Sequence, residues 1–164
     1  SPYWLDYRER NRLEVEYIFE ESVVYDLGNR NQLDRNKLVG LAFDSADNHK
    51  NSGMVSWAWG IECDCIELGF YFHLNGEPKL IRDETGNYVF AKAQPGQRIE
   101  SYFNLMSGED LNAMAITIIT PTDTAYHELS FDVPVTQKTK VINPWFGGDE
   151  KAPHDIYLKR KLIK

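Results

Sequence analysis

The feature that most constrains this chain is the recurrence of short apolar-polar alternations between turn signals, with no stretch where apolar residues return at helical spacing for three turns. Segments 13–19, 22–26, 37–43, 54–65, 66–74, 79–82, 88–92, 98–106, 113–120, 127–133, 139–142 and 155–163 carry β-branched and aromatic residues suited to a pleated surface. Asn75-Gly76-Glu77-Pro78 and Glu84-Thr85-Gly86-Asn87 read as hairpin connections, and Gln94-Pro95-Gly96-Gln97 reads as a tight turn. Phe146-Gly147-Gly148-Asp149 reads as a loop that needs positive φ. Only residues 107–112, SGEDLN, suit a short helical turn, with Ser107 as its cap. The pattern predicts an all-β fold: a single antiparallel β-sandwich over residues 1–164, of the jelly-roll (concanavalin-like) type.

The densest chemistry lies in residues 57–73, WAWGIECDCIELGFYFH. Alternation puts Trp57, Trp59, Ile61, Cys63 and Cys65 on one side and Glu62 and Asp64 on the other. After Cys65 the phase changes, because Ile66, Leu68, Phe70 and Phe72 form the next apolar set. A one-residue bulge at Cys65-Ile66, or a break between two strands, reconciles the two phases. With the bulge, Glu62, Asp64, Glu67, Tyr71 and His73 share the face away from the core. Cys63 and Cys65, two apart on one strand, are poorly placed to bond to each other and read as small buried apolar residues.

Charge narrows the partners. A formal net charge of −7 leaves no broad basic surface for a phosphate backbone, so nucleic acid is not an expected partner. The cluster KRKLIK, Lys159 to Lys164, reads as a charged edge strand that discourages further pairing. No apolar run approaches the ~20 residues of a membrane span. His49, His73, His127 and His154 have no ligand-like spacing, and no cofactor is expected. The loop Asp44-Ser45-Ala46-Asp47-Asn48-His49-Lys50-Asn51 offers oxygen ligands suited to Ca²⁺ but lacks EF-hand spacing, and reads first as an ordinary polar loop.

The spacing E-x-D-x-x-E at Glu62, Asp64 and Glu67 resembles the catalytic strand of laminarinase-type and lichenase-type jelly-roll glycosidases. That resemblance implies Glu62 as nucleophile, Glu67 as acid/base and Asp64 as the carboxylate tuning them, with the two working carboxyls about 5–5.5 Å apart. The flanking cysteines and the early glycine depart from that pattern. Four further segments, VVYDLGNRNQLDRNKLVGLAF, NSGMVSWAW, IELGFYFHLNG and NPWFGGDEKAPHDI, resemble a group of small bacterial and bacteriophage-type proteins of about this length. This resemblance implies one complete domain, leaves Glu67 as the family-like carboxylate and supplies no catalytic assignment.

Taken together, the sequence favours a non-catalytic recognition module over an enzyme. The expected partner is a glycan or a protein at a bacterial or viral surface. Expected contacts are Glu67, Tyr71 and His73 on the open strand face, with Trp145, Asp149 and His154 from the C-terminal loop, rings stacking and polar groups hydrogen bonding. Trp4 is a further ring by position. A small retaining glycosidase using Glu62 and Glu67 is the second expectation, and a structural subunit of a larger assembly the third.

Overall fold

The computed structural model describes residues 7–8, 11–43, 49–133, 135, 139–147 and 150–162. Among these described residues twelve strands run in chain order: β1 Tyr7–Arg8, β2 Arg12–Phe19, β3 Asn36–Ala42, β4 Ser52–Gly60, β5 Cys65–Leu74, β6 Glu77–Leu80, β7 Ala91–Ala93, β8 Arg98–Ser107, β9 Asn112–Ile119, β10 Thr124–Phe131, β11 Thr139–Ile142 and β12 Leu158–Leu162. They form two antiparallel sheets. One has seven strands ordered β1-β11-β3-β4-β5-β6, with β7 also pairing β5, and the other has five ordered β10-β9-β8-β2-β12. Two meanders, β3-β4-β5-β6 and β8-β9-β10, supply the central strands.

The period-2 pattern decides what lies between the sheets. Leu13, Val15, Tyr17 and Phe19 of β2 and Ile99 and Phe103 of β8 point inward from one sheet. Val55, Trp57 and Trp59 of β4 and Ile66, Leu68, Phe70 and Phe72 of β5 point inward from the other, all within one buried cluster. The sheets meet ring to ring: Phe19 lies 4.7 Å from Trp57 between centroids, and Phe43 stacks on Phe131 at 4.6 Å. The expected β-sandwich is therefore the observed architecture. Among the described residues no helix is long and apolar enough to cross a membrane.

Local departures from expectation have local causes. Residues 54–65 do not make one strand, because residues 61–64 turn the chain from β4 into β5. Residues 22–26 are not a strand: Glu21–Val23 form a 3-10 turn, and a second one at Arg30–Leu33 is capped by the Asn29 side chain. Residues 107–112 are not helical, since Ser107 and Asn112 pair directly and close the β8-β9 hairpin. Asn75 and Gly76, with φ of 52° and 83°, make the tight turn expected between β5 and β6. Gly147 does not adopt positive φ, while Gly148 and Asp149 lie outside the described residues. Residues 158–162 do form an edge strand, on β2.

His127 on β10 faces Phe70 and Phe72, its ring 5.6 and 6.0 Å from theirs, and its Nε2 is shielded with no hydrogen bond among the described residues. Burial, helped by the nearby Lys79 charge, lowers its pKa. The unfolded imidazole takes up its proton near pH 6.5 and the folded one only at lower pH. Stability is therefore complete above that value and falls as pH drops through the window towards the folded pKa. Replacing His127 with Leu is expected to flatten this part of the stability profile, measured by urea unfolding at stepwise lower pH.

Candidate functional site

β4 is buried along its whole length, although only its odd-numbered residues face the partner sheet. The even-numbered side chains Ser52, Met54, Ser56 and Ala58 lie on the outer face, opposite His73, Tyr71, Gly69 and Glu67 of β5. Met54 packs there with Ala42 and Ile142, and Tyr71 borders them. A β-bulge between Lys37 and Val39 brings Lys37 onto the same outer row opposite Ser56. On its other side Lys37 exchanges both backbone hydrogen bonds with Trp145, each 2.9 Å long, in an isolated bridge.

Two clefts open on this face, and they share Lys37, His49 and Trp145. The first, about 300 Å³, adds Arg35, Ser56, Tyr71 and His73. The second, about 430 Å³, adds Lys140, Ile142, Asn143 and Pro144. Trp145 stands between them and is 66% exposed, the most exposed large hydrophobic side chain among the described residues. Behind it, His73 lies 5.1 Å from Tyr71 and 5.4 Å from His49, ring to ring. Burial raises the Tyr71 phenol, so that ring stays neutral at ordinary pH.

Arg35 crosses the floor of the first cleft. Its Nη2 donates to the Glu67 carbonyl at 2.8 Å, its Nε to Ser56 Oγ at 3.3 Å, and its guanidinium lies 5.2 Å from the centroid of Tyr88. Its Nη1 is shielded from solvent and has no hydrogen-bond partner among the described residues. Burial lowers its pKa to about 10, partly offset by the Glu67 carboxylate, so Arg35 remains a cation at neutral pH. Gly69 makes this layering possible: a Cβ there would run into the Tyr88 carbonyl.

The expected binding residues divide. Tyr71, His73 and Trp145 converge on the first cleft. Glu67 shares their face but lies towards the β4-β5 turn, where its carboxyl and the Cys63 sulfur rest over Gly60. His154 is elsewhere, its Nε2 2.8 Å from the Ser22 carbonyl, in a separate cleft with Tyr25, Trp59 and Asp64. Asp149, Trp4 and residues 44–48 of the proposed Ca²⁺ loop lie outside the described residues. Sequence reasoning missed Arg35, Lys37, Lys140 and Asn143.

The carboxylate strand is corrected. Glu62 and Asp64 sit in the exposed turn, not on a strand face with Glu67, and none of the three lines either Trp145 cleft. The cysteines are corrected too, because Cys63 and Cys65 form a disulfide. In an extended strand their Cα atoms would stand roughly 6.6 Å apart. The turn, with Asp64 at a φ of 52°, brings them to 5.2 Å. As a disulfide the pair has no thiolate to offer a metal. No family model matches the chain, and no curated protein matches it.

Two outcomes are expected from this geometry. Gly69→Ala should cost about 1–3 kcal/mol in urea unfolding, because the obstructing atom is backbone. Replacing both Cys63 and Cys65 with Ser should cost no more than about 1.5 kcal/mol, the loop-closure value for so short a ring, read as a small shift in urea midpoint.

Proposed function

We propose that this chain is a non-catalytic recognition module that binds a glycan in the paired clefts flanking Trp145, at a bacterial or viral surface. The observation that carries the reading is the exposed Trp145 indole between two clefts on a strand-built face. The exposed indole presents a flat apolar face, and a sugar ring offers C–H faces that pack on it while its hydroxyls reach polar neighbours. Ser56, His73 and Asn143 supply such groups within the same clefts. Volumes of about 300 and 430 Å³ suit single sugar units side by side. Two backbone hydrogen bonds to Lys37 fix the Trp145 main chain, so less backbone freedom is lost on binding.

Two further features support this reading over hydrolysis or a cytosolic role. Glu62 and Asp64 sit in the β4-β5 turn, so the two-carboxylate arrangement of a retaining glycosidase does not face the Trp145 clefts. A disulfide in a partly exposed turn persists where the surroundings are oxidising, as outside the cytoplasm.

The test is a glycan array probed with the intact chain, followed by calorimetry on whatever class binds. Trp145→Ala should weaken binding at least tenfold, about 1.4 kcal/mol, while shifting unfolding stability by less than about 0.5 kcal/mol. An array left blank at high protein concentration, or a Trp145→Ala variant that binds as tightly as the parent, overturns the reading.

A further inference from the structure

We infer that the glycan is an acidic one, whose anionic group sits between Lys37 and Arg35 while its ring packs on Trp145. The inference rests on the glycan reading above and adds the ligand's charge. The chain as a whole carries a formal charge of −7, with 25 acidic residues against 18 basic ones. The two clefts run against that balance: Arg35, Lys37 and Lys140 line them, and no carboxylate lines them among the described residues. An anion approaching an acidic surface is repelled over most of it and drawn to a cationic concavity with low-dielectric walls.

The spacing suits one sugar unit. Lys37 and Trp145 are bridge partners whose backbones exchange hydrogen bonds in both directions, so their side chains leave the same face from directly opposed positions. Directly opposed Cβ atoms stand about 4.5–5.5 Å apart. That is on the order of the width of a sugar ring, so a pyranose stacked on the indole brings a carboxylate or sulfate ester at its rim over Lys37. Lys37 belongs to both clefts, and in the first it shares the lining with Arg35 and Trp145.

Arg35 adds direction to the charge. Its guanidinium is clamped by the Ser56 hydroxyl, the Glu67 carbonyl and the Tyr88 ring, which fixes the plane of the fork. Nη1 has no hydrogen bond among the described residues, leaving a charged donor group whose match is an oxyanion. The surrounding burial strengthens that attraction relative to open water.

The experiment compares four probes with the full chain by calorimetry at low and high salt: a hexuronic acid oligomer, its carboxyl-reduced neutral form, a sulfated neutral oligomer and the free monovalent acid. The acidic oligomer should bind roughly tenfold or more tightly than its reduced form, with the difference shrinking as salt rises. Lys37→Gln should remove most of that difference, whereas Trp145→Ala should weaken acidic and neutral oligomers alike; thermal melts confirm that both variants are folded. Strength in the sulfated arm instead of the uronate arm identifies sulfate as the anion and supports the inference. Equal affinity for the acidic, sulfated and reduced oligomers overturns it while leaving glycan binding intact, as does a charge preference that Lys37→Gln leaves unchanged. Binding of the free acid with no gain from any sugar overturns the glycan reading itself.

Discussion

The rest of this molecule depends on β4 being covered on both faces. A strand in a two-layer sandwich ordinarily gives one face to the core and the other to water. Here Val55, Trp57 and Trp59 face the second sheet while Ser52, Met54, Ser56 and Ala58 are also out of solvent. The small side chains of Ser52, Ser56 and Ala58 let other groups lie close to the strand. Arg35 uses that space, and Tyr88 closes over it. The core and the candidate site are thus two sides of one strand, and the site's floor is as fixed as the core.

How much of this the sequence discloses depends on the range of the interaction concerned. The period-2 pattern is local, so the sandwich, the inward set Ile66, Leu68, Phe70 and Phe72, and the outward set Glu67, Tyr71 and His73 are legible from neighbours alone. The β4-β5 turn is legible only as one of two alternatives, because the change of phase after Cys65 fits a break or a bulge, while Ile61-Glu62-Cys63-Asp64 alternates as a strand would and carries no Gly or Pro of its own. The disulfide inherits that ambiguity: only the turn brings the two Cα atoms close. Arg35, Lys37 and Lys140 are invisible for another reason. Each is an ordinary cation in its own segment, and it takes the pairing of β11 and the Trp145 bridge with β3 to gather them.

The same contrast explains why the carboxylate motif misleads. E-C-D-C-I-E has sensible catalytic spacing if the strand runs on, since a strand would aim its carboxylates one way. Once the chain reverses between Gly60 and Cys65, the three side chains start from backbone running in different directions. Tyr71, His73 and Trp145 converge without any motif to advertise them, because two of them come from one strand and the third from a residue bridged to β3.

The bulge in β3 has a consequence for the phase of the strand. One added residue lets Leu38 and Val39 both enter the core while Lys37 stays opposite Ser56. The parity of the residues before the bulge is thereby uncoupled from the parity of those after it. The side chains of Arg35 and Lys37 can therefore keep to the outer face while Leu41 and its neighbours keep their own phase. A single irregular residue thus separates the phase of the backbone under the candidate site from the phase of the strand that feeds the core.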